Sequence, residues 1–139
     1  MILLDTNVLS GLMRREPEAQ VVAWLDAQPS QSIWTTSITL FEVEFGIELL
    51  PASRRREELQ TAFALVLEED LENRVVPFDR RASKEAGRLA AQRRQAGRPV
   101  EIRDVQIAGI TLARNATLAT RNQRHFEDLG VRLVNPWDG

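Results

Sequence analysis

The segment Ile2-Leu3-Leu4-Asp5-Thr6-Asn7 decides the fold class of this chain. Its three apolar residues form a short run typical of a strand buried on both faces, and the acid that follows marks the end of that strand. Four later runs are rich in β-branched or apolar residues and are also expected to be strands. They lie at residues 32–36, 75–78, 118–120 and 131–134.

Helical periodicity separates most of these strands. The clearest amphipathic pattern comprises Leu59, Ala62, Phe63, Val66 and Leu67, which share one helix face. Further helices are expected after Pro17 and over residues 37–50, 82–97 and 103–114. Strands separated by such helices pair in parallel through right-handed crossovers. The sequence therefore predicts an α/β fold, a three-layer α/β/α sandwich with a central, mostly parallel sheet of about five strands, within a single domain over residues 1–139.

Composition limits the chemistry that the chain can perform. The 139 residues include 18 Lys or Arg and 20 Asp or Glu, so a net charge of −2 is too low for nucleic-acid binding by bulk electrostatics. There is no cysteine, and the single histidine is His125, which excludes thiolate nucleophiles and sites built from two histidines. No apolar run has the length of a membrane span and no signal peptide is recognised, so a cytoplasmic location is expected.

Acidic residues occur where parallel sheets place their ligands, beyond the carboxyl ends of the strands. Asp5 ends the first strand, Glu42 lies in the helix after the second, and Asp104 lies in the first turn of a late helix. Carboxylates held close together repel, and they stay ionised when a divalent cation lies between them. Oxygen ligands suit Mg²⁺ or Mn²⁺, which can activate water for phosphodiester hydrolysis. Arg103 and Arg121, beside these acids, are candidate partners for phosphate oxygens.

Each of these residues also has a purely structural interpretation. Asp5 could cap a following helix, and Glu42 could be the acid of a capping box with Thr39. Asp104 could only complement the dipole of its helix, and Asn122 could be a turn residue. His125 is expected on the surface or in packing. The three tryptophans are expected in the core or at a dimer interface because an indole buries a large apolar area. They are Trp24, Trp34 and Trp137.

Five segments resemble, in order, the PIN-domain ribonucleases, and most closely the VapC-type toxins of bacterial type II toxin–antitoxin modules. They are MILLDTNVL (residues 1–9), SITLFEVEFG (37–46), DVQIA (104–108), ATRNQRHF (119–126) and VNPW (134–137). The resemblance spans nearly the whole chain. It implies a Mg²⁺-dependent endoribonuclease that hydrolyses RNA and acts as a toxin.

The resemblance also implies roles for individual residues. Asp5 and Asp104 would bind Mg²⁺ directly, and Glu42 would bind it through water or complete the site, while Thr6 would orient Asp5. Many relatives carry a fourth acid at the position of Asn122 or at that of His125, so this chain departs from the pattern there. Asn122 could still bond a metal-bound water through its amide oxygen.

The resemblance further implies partners. VapC-type toxins form homodimers and are silenced by a small DNA-binding antitoxin, so contact with DNA would be indirect. Two other functions stay open. A catalytically silent PIN-like binding module would explain Asn122. A phospho-acceptor signalling domain would need a lysine at a late strand end, whereas the only lysine, Lys84, lies within a predicted helix.

Overall fold

A parallel sheet forms the centre of the molecule, as the strand spacing predicts. The computed structural model describes residues 1–98 and 101–138, and within them the strands are β1 Ile2–Leu4, β2 Ile33–Thr36, β3 Val75–Val76, β4 Thr117–Ala119 and β5 Arg132–Val134. Their order in the sheet is β3-β2-β1-β4-β5, and every neighbouring pair is parallel. The central strand β1 therefore pairs with β2 and β4, and the carboxyl ends of all three meet at one edge.

Helices cover both faces of this sheet. They are α1 Thr6–Leu12, α2 Ala19–Asp26, α3 Ser37–Glu48, α4 Arg54–Leu65, α5 Arg80–Gln95 and α6 Ile102–Ala113. Short 3₁₀ helices occupy Ser30–Ser32 and Gln123–His125, and a π-helical turn over Val66–Asp70 extends α4. In the part of the chain that the structure describes, none of the helices is both long and apolar enough to span a bilayer.

The alternation of side chains along β1 builds two cores. Leu3 packs into a cluster with the buried residues of α5 and α6, whereas Leu4 packs into a second cluster with those of α1, α2, α3 and α4. Both leucines are fully buried, which is the behaviour expected of a central strand in a parallel sheet. The predicted three-layer α/β/α sandwich is confirmed.

The structure corrects two local expectations. Helix α1 begins directly after β1, where no helix was predicted before Pro17, and it buries Val8 and Leu9. The N-cap of α3 is Thr36, whose side chain accepts a hydrogen bond from the N–H of Thr39, so the capping box between Thr39 and Glu42 does not form. Glu42 is therefore free to point elsewhere.

Candidate active site at the carboxyl edge of the sheet

A cavity of about 590 Å³ opens beyond the carboxyl ends of the central strands. All four residues predicted to form the site line it: Asp5, Glu42, Asp104 and Asn122. Asp5 follows β1, Glu42 projects from α3, Asp104 lies in the first turn of α6, and Asn122 follows β4. The structure thus brings together acids that are up to 99 positions apart in sequence.

Asp5 is held rigidly at the floor of this cavity. It is only 7% exposed and caps α1, since its Oδ1 accepts a hydrogen bond of 2.8 Å from the N–H of Thr6. Its Oδ2 accepts one of 2.8 Å from the hydroxyl of Thr120 and a longer one of 3.5 Å from the amide of Asn7. Burial nevertheless raises the pKa of the Asp5 carboxyl above its ordinary value, because desolvation outweighs these bonds. Asp5 therefore both caps α1 and lines the candidate site.

Glu42 faces Asp5 from the second turn of α3. Its Oε1 accepts a hydrogen bond of 3.2 Å from the hydroxyl of Thr6, and its Oε2 lies 3.9 Å from Nη1 of Arg103. Burial and, after it, the negative charge of Asp5 raise the pKa of Glu42. The Thr6 hydroxyl therefore binds Glu42, and Thr6 contributes its backbone N–H to Asp5.

Asp104 faces the same cavity from α6. Its Oδ2 lies 3.3 Å from Nδ1 of His125, which the sequence placed on the surface or in packing. Burial raises the pKa of Asp104, and the charges of Glu101 and Asp5 act in the same direction, while His125 opposes them. His125 thus contacts a candidate metal ligand from the position where many relatives carry an acid.

The three carboxylates line the same cavity, but together they do not surround a single point. Among the described residues, no three His, Asp or Glu side chains lie close enough together to hold one ion between them. A hard cation such as Mg²⁺ needs no such cage, since it usually keeps several waters and is held by one or two carboxylates. The donor set therefore fits Mg²⁺ or Mn²⁺ with part of its hydration shell retained.

We expect Asp104→Asn to stabilise the metal-free protein at neutral pH. A carboxyl whose folded-state pKa is raised stabilises the fold fully only below its ordinary pKa of 3.8, and that stabilisation is lost as the pH rises through the raised value. The variant should melt about 2–3 °C above the wild type at pH 7, a gain below about 1 kcal/mol. The difference should shrink as the pH approaches 4, as thermal scans in EDTA can show. A lower Tm at pH 7 would mean that the contact with His125 outweighs the cost of burial.

The far part of the cavity could not be found from the sequence. Arg14, Glu18 and Trp137 line it, although they come from the α1–α2 loop and from the C-terminal segment. Trp137 was expected in the core or at a dimer interface, but it is only partly buried, and the guanidinium carbon of Arg121 lies 4.8 Å from the centroid of its ring. Arg103 differs from Arg121 because it faces the acids Glu42 and Glu101.

Small residues lie one turn after Glu42 and one turn after Asp104. Gly46 is exposed, and a Cβ atom built on it would meet nothing within 4 Å, so it does not serve close packing between helices. Ala108 is fully buried in the core.

The sequence was compared with protein-family profiles, with characterised proteins and with solved structures. The sequence profile of the family described as PIN domain matches residues 2–131. The plasmid stability protein StbB of Pseudomonas syringae is 42% identical, and the VapC ribonuclease Y4jK of Sinorhizobium fredii is 38% identical. Each alignment covers 99% of both sequences.

The architecture is shared with solved structures. FitAcB from Neisseria gonorrhoeae superimposes with a TM-score of 0.86 at 30% identity, over 99% of each chain. These matches confirm the resemblance that the five sequence segments indicate. The chain therefore belongs to the PIN-domain family.

Proposed function

We propose that this chain is a Mg²⁺-dependent endoribonuclease and the toxin of a type II toxin–antitoxin module. The observation that carries the proposal is the meeting of Asp5, Glu42 and Asp104 in one open cavity. The relative named VapC ribonuclease supports RNA hydrolysis as the activity. The protein would act as a single PIN domain over residues 1–139 in the cytoplasm, with Mn²⁺ as a possible substitute for Mg²⁺.

In this proposal each carboxylate has a distinct role. Asp5 and Asp104 would bind the cation directly, and Glu42 would bind one of its waters, since the three do not close around one point. The bound cation supplies a water of lowered pKa and a counter-charge for the phosphoryl oxygen. Thr120 and the backbone N–H of Thr6 fix the direction of the Asp5 oxygens, so the ligand is in place before the cation arrives.

Asn122 completes this edge of the site without a charge. Its backbone N–H donates a hydrogen bond of 3.1 Å to the hydroxyl of Thr120, which places the exposed amide at the cavity wall. The amide can accept a hydrogen bond from a water of the cation. It cannot offset the charge of a second cation as a carboxylate would, so we propose one tightly bound metal ion.

The acidic cavity also fits the proposed partners. A cationic side chain of an antitoxin tail would be attracted to these three carboxylates, whose pKa values are raised chiefly because burial desolvates them. We propose that a small DNA-binding antitoxin covers this cavity, that the chain forms a homodimer, and that it touches DNA only through the antitoxin. RNA is then the substrate that the antitoxin excludes.

The experiment that tests the proposal is cleavage of a structured RNA by the purified chain. We expect cleavage with Mg²⁺ or Mn²⁺ and none after EDTA is added. Cleavage that survives EDTA, or no cleavage with either ion, would contradict it. The alternative is a catalytically silent binding module, which Asn122 in place of an acid would explain. Titration calorimetry with Mg²⁺ tests it, because a silent module would not bind Mg²⁺ in the millimolar range or below. A phospho-acceptor signalling domain would need a lysine near the acids. Lys84 is exposed on α5 and does not line the cavity, so this hypothesis loses support.

A further inference from the structure

The cavity has a second half that metal-assisted hydrolysis does not require. It contains Arg14, Glu18, Arg121 and Trp137, with Gly11 of α1 as its floor. A Cβ atom built on Gly11 would lie 3.5 Å from the indole of Trp137 and 3.9 Å from the carboxyl carbon of Glu18. These contacts show that the C-terminal segment is seated on α1, the helix that Asp5 caps.

Within this half, one cation makes no ion pair with an acid among the described residues. Arg14 pairs with Glu18 at 2.9 Å, and Arg103, across the cavity, faces Glu42 and Glu101. Arg121 makes no ion pair with any of the described residues, although it is exposed at the cavity wall. Its guanidinium donors are therefore available to a ligand.

Arg121 is nonetheless held in place. Its backbone N–H donates a hydrogen bond of 3.0 Å to Oδ1 of Asn7, and its guanidinium lies over the Trp137 ring. The ring is itself fixed, because its Nε1 donates to Oε2 of Glu18. A planar guanidinium held over an aromatic ring loses little conformational freedom when it binds an anion.

Arg121 is connected to Asp5, in the proposed cleavage site, through the side chain of Asn7. The amide of Asn7 joins them: its Oδ1 accepts from the N–H of Arg121, and its Nδ2 lies 3.5 Å from Oδ2 of Asp5. A guanidinium presents parallel N–H donors that match a phosphate, and stacked guanidinium groups also receive unpaired RNA bases. A strand with one phosphate at the carboxylates would extend its neighbouring nucleotide towards this cation.

We propose that Arg121, supported by Trp137, binds the RNA phosphate next to the scissile one and so sets the register of the strand. This inference rests on the proposed function, because it takes RNA as the substrate. Arg121 is a substrate-binding residue, and Trp137 is the positioning residue behind it.

The test is the binding of fluorescein-labelled decauridylate, measured by anisotropy in EDTA so that no cleavage occurs. Arg121→Ala should weaken binding about five- to tenfold and reduce the slope of log K against log salt by about 0.7, the value expected for one phosphate contact on a single strand. Arg121→Lys should keep the slope and recover only part of the affinity. Trp137→Leu should weaken binding with the slope unchanged.

The control variant is Arg88→Ala, which removes an exposed arginine of α5 outside the cavity. It should change neither affinity nor slope. Equal behaviour of Arg121→Ala and Arg88→Ala, or no binding by the wild type, would overturn the inference. So would Arg121-dependent binding of a labelled deca-glutamate peptide with decauridylate binding unchanged, which would indicate an acidic protein partner. Metal-dependent cleavage by the wild type is scored separately, so failure here leaves the proposed function standing.

Discussion

Replacing Asp5 with asparagine is expected to reduce Mg²⁺-dependent RNA cleavage by about a thousandfold. A cation that activates water and neutralises a phosphoryl oxygen contributes several kcal/mol to the transition state, and about 4 kcal/mol corresponds to that factor. Asp5 is the most buried of the three acids, and its two oxygens are already oriented by Thr6 and Thr120. Initial rates at saturating Mg²⁺, together with calorimetric titration of Mg²⁺, measure the loss.

The matched control is Asp79→Asn. Asp79 also follows a strand of the parallel sheet and caps the next helix, since its Oδ1 accepts a hydrogen bond of 3.0 Å from the N–H of Ala82. It does not line the cavity, and asparagine is an equally good N-cap, so its activity should equal that of the wild type. If both variants lose activity equally, the loss reflects helix capping and Asp5 is not a ligand.

Folding must be separated from catalysis at position 5. Asparagine keeps an acceptor for the Thr6 N–H and removes a buried charge, but it also disturbs the bond from the Thr120 hydroxyl. We expect these effects to offset each other within about 1 kcal/mol, so the metal-free Tm should stay within about 4 °C of the wild type. A variant that melts far below this range would make Asp5 a structural residue.

The sheet was predictable because most of its strands are short runs of apolar or β-branched residues that the core buries. Helix α1 was not, because it has only seven residues and starts with Thr6 and Asn7, which have low helix propensity. It forms because Val8 and Leu9 are fully buried against the sheet and because Asp5 caps it. Tertiary packing, which a local pattern does not contain, decides such a short helix.

The acids of the site could be predicted for a related reason. The carboxyl ends of parallel strands must lie at one edge, so topology brings Asp5 after β1 and the helix α3 after β2 to the same edge. Asp104 begins α6, which follows another helix, so its place depends on how α6 packs. What topology does not give is the direction of each side chain. Glu42 was assignable either to a capping box or to the site, and only the position of the N-cap at Thr36 decides between them.

Some contacts of the candidate site could not be predicted from the sequence. His125 lies in a short 3₁₀ helix and Trp137 lies after the last strand, and nothing in their local sequence shows that the first contacts Asp104 and the second Arg121. That Arg121 makes no ion pair within the described part of the chain is likewise a property of the folded surface. The sequence places both Arg121 and Arg103 beside the predicted acids, but it does not show that, of these two arginines, only Arg103 faces acids among the described residues.

A second large effect is expected at Gly109, where α6 crosses α5. A Cβ atom at this position would lie 2.6 Å from the carbonyl oxygen of Ala82 and 2.7 Å from Cβ of Ala86. Both contacts are far shorter than van der Waals distance, and one of them is with backbone, so no side-chain rotation can relieve them. The two helices can therefore pack this closely only because residue 109 is glycine.

Gly109→Ala should accordingly destabilise the fold by about 2–3 kcal/mol, even though alanine is the better helix former. For a domain of this size the Tm should fall by about 8–12 °C. Gly87→Ala is the matched control, since Gly87 is also helical but a Cβ there would meet nothing within 4 Å. It should gain about 0.5–1 kcal/mol and melt about 2–4 °C above the wild type.

The same pair of variants connects packing with catalysis, because α6 carries Asp104 as well as Gly109. If α6 must move away from α5 to admit a methyl group, the Asp104 carboxylate moves with it, and misplacement of a reacting group by about 1 Å can cost a hundredfold in rate. We therefore expect Gly109→Ala to cleave RNA at least tenfold more slowly at 25 °C, where it is still folded, and Gly87→Ala to cleave at the wild-type rate. Equal rates with a lowered Tm would show that α5 yields instead of α6 and that the Asp104 carboxylate keeps its position.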